Sequence, residues 1–521
     1  MNESIVDLDL AMAWRRVKWD LSHRTFVSFA FLKELLDLGI DEWLVQLGSA
    51  IQEGRYSPKP CEICDVPKKG FHLRPGARLD LEDHVVYAGL VQEMYPSVRD
   101  YLQRGKAHKD FAYLLRGAGD VPWFQQPPFH SWKGFQVSSL KKIDDGAQVV
   151  LFADISGFYE NIDLQRLQHT LRSVSIPEPP LELLFRCLRL WAEPRGRGIP
   201  QGLSPSDLLA KVYLDPLDRL MERDGFDHSR YVDDFRVFCQ TRPEGKKALR
   251  RLTILLRNLG LNLEASKTEI LSVEDARARI AGKIPEIEQI RSRLLEVVRA
   301  EGFDNPYLNS TSFADLEAAQ ADVARDVLET AFRENFLEPE DESFDSSLFH
   351  YLLTRLGPLQ SDIAVDFSIS QLTIRPEETI YILEYLSRFA SSGEVPGRIV
   401  AYAQSEDAIY DYQLHLILGW LLENRVQTEE SLQLARGLMA NRGHPLWLRS
   451  VAMALVGEFG DAADLESIEA LYTSAANDLE RAIILCSIRR MTRMRRNGAY
   501  GRYGGDNLLN SLAVRWARQR T

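Results

Sequence analysis

The chain has 521 residues, 45% of them hydrophobic and 26% charged, and its net charge is −12. That length exceeds what one core holds and implies two or three globular domains. Five cysteines do not make a disulfide scaffold, and no apolar run is long enough to span a bilayer, since even Leu414–Leu422 stops after about nine residues. The acidity belongs to residues 281–521. Residues 1–280 are charge-balanced and can spare basic side chains for a phosphate-tracking channel. The acidic start Asn2-Glu3-Ser4 lacks a signal-peptide pattern, so a cytoplasmic protein is expected.

Residues 7–54 read as helical, with Leu10, Trp14, Val17 and Leu21 opening a three- and four-residue rhythm that reaches Leu47. Gly54, Pro58 and Pro60 end it. Cys61 and Cys64 have no second pair nearby, which favours a loop over a zinc or redox site. Lys68 to Arg78 is basic, with Gly70 and Gly76 permitting tight turns. Arg74 can fork onto phosphate oxygens and Lys68 or Lys69 can add a point charge, although a solvated basic loop is the plainer reading. Residues 81–120 read as a helical pair, and Trp123 to Trp132, rich in Pro and aromatics, as an ordered loop.

Gln148 to Ala153 is an apolar strand that delivers Asp154 at its edge. Alone, an Asp after a strand is a turn former or a helix cap. Ser204-Pro205-Ser206-Asp207 reads as a helix start with Ser204 as N-cap, the helix running until Pro216 interrupts it. The preceding Pro200-Gln201-Gly202 is a tight turn able to bring backbone and an amide against a nucleotide or a base. Arg230 to Phe238 reads as a hairpin whose turn carries Asp233 and Asp234. Adjacent like charges cost stability unless neutralised, and Mg²⁺ is commonly held by one or two carboxylates plus substrate phosphates. The turn therefore reads as half of a metal site and Asp154 as the other half.

The segments Asp154-Ile155-Ser156-Gly157-Phe158-Tyr159, Gly198-Ile199-Pro200-Gln201-Gly202-Leu203-Ser204-Pro205, Tyr231-Val232-Asp233-Asp234 and Leu259-Gly260-Leu261-Asn262-Leu263 with Lys267-Thr268 resemble, in order and spacing, the A, B, C and D motifs of reverse transcriptases. Upstream, Tyr56-Ser57-Pro58, Pro67-Lys68-Lys69-Gly70, Arg74 and Asp83-His84-Val85-Val86 resemble the fingers motifs of that family. The resemblance spans residues 50–275. It implies an α+β right-hand polymerase, fingers and palm, over residues 1–275. Asp154, Asp233 and Asp234 are then the catalytic and metal-holding carboxylates, with Mg²⁺ as cofactor and Mn²⁺ as the alternative ion. The resemblance also implies a nucleotide-binding set of Lys68, Arg74, Tyr159, Gln201, Gly202 and Lys267. In it Tyr159 lies under the sugar and collides with a 2′-hydroxyl, so that dNTPs are the substrates. Lys267 approaches the phosphates and the leaving pyrophosphate, or is an exposed lysine.

Residues 276–345 read as thumb-like helices and a linker, with Glu338-Pro339-Glu340-Asp341-Glu342 as boundary. From 346 to 521, apolar helix centres recur at Leu352, Leu383, Leu416, Ala452 and Ile484, which resembles an all-α, HEAT-like helical repeat domain. Arg489-Arg490, Arg493 and Arg495-Arg496 precede a Tyr- and Gly-rich stretch that suits single-stranded nucleic acid, or else forms a basic helix face before a mobile loop. Fingers and palm followed by such a domain, without an RNase H or integrase segment, are similar to the bacterial defence-associated, abortive-infection (unknown-group) reverse transcriptases. That resemblance implies an RNA-directed or template-independent DNA polymerase in antiphage defence, with protein priming or a dedicated non-coding RNA in some subfamilies. The implied partners are dNTPs, RNA, a single-stranded DNA product and further copies of the chain, and no membrane. The alternatives are a retron-like template-copying reverse transcriptase and a catalytically idle polymerase-fold scaffold that binds RNA.

Overall fold

In the computed structural model of the chain, residues 6–104, 109–125, 128–174, 176–192, 196–282, 285–290, 292–293, 321–339 and 344–520 are described. Much of the expected thumb and linker, including 294–320 and the boundary acids 340–342, lies outside them. The chain divides into two compact units, Met1–Phe26 with Gly39–Cys64 and Pro75–Ala281, and Val27–Leu38 with Asp65–Arg74 and Gly282–Thr521.

The first unit is built on a four-stranded antiparallel sheet in the order β4–β5–β3–β6, from β3 (Val149–Asp154), β4 (Asp227–Tyr231), β5 (Asp234–Cys239) and β6 (Glu269–Ser272). Val150, Leu151, Phe152 and Ala153 are all buried, so both faces of β3 are covered. On one face Val150, Phe152 and Phe238 join Ile143 of α5 (Pro128–Asp144) and Ala276 and Ile280 of α10 (Val273–Ala281) in one apolar cluster. α8 (Ser204–Arg223) and α9 (Arg242–Asn258) also pack on the sheet, and Gly245 of α9 lets the helix approach Ile270 and Val149. The remaining helices of the unit are α1 (Leu10–His23), α3 (Ile40–Gln52), α4 (Leu81–Gln103), α6 (Leu164–Ser173) and α7 (Glu178–Trp191); α1 packs on α4, and α4 on α7 and α8.

Four local expectations differ from what is found. Among the described residues of 81–120 α4 is the one helix. Residues 109–120 are irregular, and the buried guanidinium of Arg16 donates there to the carbonyls of Ala118 (2.7 Å) and Asp120 (3.0 Å). Trp132 belongs to helix α5, not to a loop. Ser204 is the first helical residue rather than the cap. Leu203 occupies the cap, and the Ser204 backbone N–H and hydroxyl both donate to Asp20 instead. Pro216 does not end α8, because a helix buried along most of its length is held by packing that outweighs one lost hydrogen bond.

In the second unit, helices Ser346–Leu356, Thr379–Leu386, Asp411–Glu423, Leu446–Phe459, Asp478–Ser487 and Leu508–Arg518 pack each on the next. Helices Val365–Ile374, Glu394–Ala403 and Glu429–Ala440 form a second row in the same way. Polar contacts repeat with the helices: His444 meets Asp411 and Arg425 meets Glu458, each 33 residues apart, and Arg449 meets Glu480, 31 apart. The Arg- and Tyr-rich stretch is helical from Arg493 to Tyr503 rather than a mobile loop, and its Tyr500 is buried with the hydroxyl donating to the Leu485 carbonyl. The early segment Val27–Leu38 also belongs here. Its helix α2 (Leu32–Asp37) packs on Leu508–Arg518, Phe31 meets Trp516 at 4.9 Å between ring centroids, and Arg515 donates to the Leu38 carbonyl, 477 residues away.

Arg449 and Glu480 are both buried, so Arg449→Ala should leave an uncompensated carboxylate and cost about 3–5 kcal/mol. The double replacement Arg449→Met with Glu480→Leu should recover most of that loss in chemical denaturation, and a loss equal to the single variant's would show that the pair is not the cause.

Candidate active site

Three carboxylates gather at one end of the sheet because of strand register. β3 and β5 are antiparallel with Asp154 directly opposite Asp234, and β5 pairs with β4 so that Tyr231 faces Asp234 across a two-residue turn, Val232-Asp233. Cross-strand neighbours share a face, so Asp154 and Asp234 present like charges to one another. Burial, then Asp154 and Asp233, push the Asp234 carboxyl up to about 6, against the attraction of Arg236 and Arg279. Asp154 is further framed by Glu264, whose N–H donates to the Asp154 carbonyl at 2.8 Å. Lys267 donates to Asp154 Oδ2 at 2.9 Å. Partial burial lowers the Lys267 ammonium, but the bond and charge of Asp154 outweigh this and raise it overall.

The turn itself is strained and clamped. Val232 has φ +55°, a conformation costly for a β-branched residue. Arg230 Nη1 donates to the Val232 carbonyl at 2.8 Å, while its Nη2 donates to Asp218 (2.6 Å) and Asp110 (3.0 Å). Lys211 adds a donor to Asp110 at 2.5 Å, and His228 lies 3.2 Å from Asp218. The two positive charges of Arg230 and Lys211 face Asp218 and Asp110 in a buried network that ties α8, β4 and the carboxylate turn together. Arg230 and Asp218 were not among the residues singled out in the sequence. The available signal was Lys211, Asp215 and Asp218, whose spacing puts them on one face of a helix that is otherwise apolar from Leu208 to Leu217.

Tyr159 is almost fully buried, and its hydroxyl donates to Asp207 Oδ1 at 2.6 Å. Burial, then Asp207, raises the phenol well above its ordinary value, so it stays a donor. Its carbonyl accepts from Ile199 N–H at 3.0 Å, which joins the segment after Asp154 to the Gln201-Gly202 turn. The Gln201 carbonyl accepts from Ala77 N–H at 2.9 Å. Gly202 has φ +98°, and a Cβ there would lie 2.5 Å from the Phe26 ring; at Gly76 it would lie 2.4 Å away. Phe26 is thus seated against two glycines, which explains Gly202 by close packing. Asp154, Asp233, Asp234 and Lys267 are therefore brought together, and Tyr159 is joined to the Gln201 turn. Lys68 and Arg74 lie on the hairpin of β1 (Glu62–Pro67) and β2 (Leu73–Arg78), in the segment Asp65–Arg74 that groups with the second unit.

Among the described residues, no group of three or more His, Cys, Asp or Glu side chains is placed to hold a metal ion by itself. The donor set is nevertheless all oxygen, partly exposed and short of positive charge, which suits a hard divalent cation whose coordination is completed by other oxygens.

Residues 115–304 match the family model described as reverse transcriptase (RNA-dependent DNA polymerase), less than half of the chain. Those residues are thus similar to a reverse transcriptase domain. No curated protein matches it. Similar solved structures include an apo telomerase from Candida tropicalis truncated from its C-terminal domain (12% identity, TM-score 0.30, 41% of this chain and 51% of that one). Others are the telomerase from Candida albicans in complex with a TWJ fragment of telomeric RNA (11%, 0.30, 77% and 70%) and an apo telomerase from Candida tropicalis (11%, 0.31, 92% and 74%). The chain spans about half the length of the first of these. No helix among the described residues is long and apolar enough to cross a membrane.

Two stability measurements check this electrostatic account. Asp234 titrates near 6 in the fold against about 3.8 ordinarily, so its ionised form costs stability above pH 6 and the cost is relieved as pH falls towards 4. Asp234→Asn should accordingly stabilise the metal-free protein by roughly 1–2 kcal/mol at pH 7.5 and by little at pH 4. Arg230→Met should cost about 3–5 kcal/mol at neutral pH, because it removes the guanidinium that neutralises the buried Asp218.

Proposed function

We propose that the chain is a divalent-metal-dependent DNA polymerase of reverse-transcriptase type, with fingers and palm in residues 1–275, thumb-like helices and linker in 276–345, and a HEAT-like repeat domain in 346–521. The observation that carries this reading is the register that sets Asp154 against Asp234 beside Asp233 at one end of a palm-like antiparallel sheet.

Asp154 and Asp233 are the residues that hold Mg²⁺, with Asp234 assisting. Bound there, the metal supplies an activated attacking hydroxyl and steadies the triphosphate of the incoming dNTP. Lys267, poised on Asp154, turns to the phosphate oxygens when the carboxylate is otherwise engaged. Tyr159 walls off the 2′ position of the sugar, and the Gln201-Gly202 turn positions the nucleotide. Lys68 and Arg74 neutralise phosphate charge from the hairpin. RNA and single-stranded DNA product are the macromolecular ligands, and the helical rows of the second unit suit an extended partner surface, either a dedicated non-coding RNA or another copy of the chain. Antiphage defence in a bacterial cytoplasm is the setting this domain combination resembles.

Purified protein with Mg²⁺ and each labelled dNTP, with and without a primed RNA template, should incorporate label. EDTA should abolish it, and Asp154→Asn or Asp233→Asn should lower it roughly a hundredfold or more with the melting transition retained. Label that enters a gel only after protease digestion would mark protein-primed synthesis. Undiminished synthesis by both variants would overturn the assignment.

A further inference from the structure

Behind Tyr159 lies a buried polar cluster that the proposed chemistry does not use. Its centre is Asp207, in the first turn of α8, where the helix N-terminus favours a carboxylate. Asp207 accepts from the Tyr159 hydroxyl at 2.6 Å and is paired with the Arg24 guanidinium, which also donates to Ser204 Oγ at 3.2 Å. Tyr113 hydrogen-bonds within the same cluster and adopts φ +46°, a left-handed conformation unusual for an aromatic residue. Arg24 is in turn braced from α1, since Ser204 donates to Asp20 Oδ1 at 2.5 Å and Ser204 N–H to Asp20 Oδ2 at 3.0 Å.

A ring that excludes a 2′-hydroxyl by contact must not yield to it. Tyr159 is fixed at its backbone by Ile199, and its far end is fixed by Asp207, so the ring axis is pinned at both ends. A phenylalanine in the same place would keep the ring but lose the far tether, and the wall would give.

We propose that Asp207, held by Arg24 and Tyr113, is a positioning residue that stiffens Tyr159 against ribonucleotides, so that sugar selection depends on the phenolic hydroxyl as well as on the ring. This rests on the reading of Tyr159 as the sugar-facing residue.

The test compares the ratio of kcat/KM for a labelled ribonucleotide to that for its deoxynucleotide, in the full-length protein and in Tyr159→Phe, Asp207→Asn and Tyr159→Val. Losing one such tether should raise the ratio roughly three- to tenfold in Tyr159→Phe and in Asp207→Asn. The double variant Tyr159→Phe with Asp207→Asn should rise no further than the larger single one, because both changes weaken the same tether. Ring removal in Tyr159→Val should raise the ratio beyond either. Melting curves identify any variant that fails to fold, and Tyr159→Phe, which leaves the Arg24–Asp207 pair in place, keeps the test open if Asp207→Asn does fail. If Tyr159→Val admits ribonucleotides while Tyr159→Phe keeps wild-type discrimination, the gate stands and the anchoring falls. If Tyr159→Val itself leaves the ratio unchanged, the sugar-facing reading falls and the proposal with it. Equal loss for both nucleotides in Tyr159→Phe, with no change in ratio, would reduce the cluster to a structural role and overturn the proposal.

Discussion

The arrangement of the carboxylates depends on one buried cation. Arg230 spends its donors on Asp218, Asp110 and the Val232 carbonyl, and so connects a helix, a loop and the strained turn that carries Asp233. An unpaired buried guanidinium would be prohibitive, and an unpaired Asp218 equally so; each exists because the other does. The pairing also settles a local contest. Val232 disfavours positive φ, yet Arg230 holds its carbonyl in that conformation, in the turn that follows strand pairing with Asp234 opposite Asp154.

Charge balance then passes from the interior to the edge of the sheet. The network of Arg230, Lys211, Asp218 and Asp110 is closed on itself, whereas the cluster of Asp154, Asp233 and Asp234 is left with an excess of negative charge that Lys267 only partly offsets. The contrast distinguishes a structural set of ions from one organised to receive a ligand. Arg230 of the one set and Asp233 and Asp234 of the other sit within a few residues of each other on the β4–β5 hairpin, and their environments separate them.

Much of this was legible beforehand, and the exceptions have a common cause. Strand β3 announced itself by five consecutive apolar residues, Val149 to Ala153, the hairpin by two β-favouring runs around Asp233-Asp234, and one helical row of the second unit by apolar centres spaced about as the helices are. What went unread were polar residues whose roles depend on distant partners. Ser204 looks like a cap because caps are local, and it takes Leu203's place in that role only until Asp20, 184 residues earlier, claims its hydroxyl and its N–H. Pro216 looks like a helix end because propensity is local, while burial of α8 is not. Arg230 reads as one charge among several along the hairpin until Asp110 and Asp218 are placed beside it.

The packing of Val27–Leu38 against Leu508–Arg518 sets a schedule for synthesis on the ribosome. Leu38 emerges early, and Arg515, which donates to its carbonyl, follows 477 residues later. At ordinary elongation rates that is a wait of roughly half a minute to a minute and a half. During it Phe31 and α2 lack Trp516 and the rest of Leu508–Arg518, while the segments on either side of them in sequence, Met1–Phe26 and Gly39–Cys64, belong to the other unit. The second unit is thus completed by a contact between segments far apart in sequence. It is a long-range docking event that a nascent chain stalled short of Leu508 cannot make.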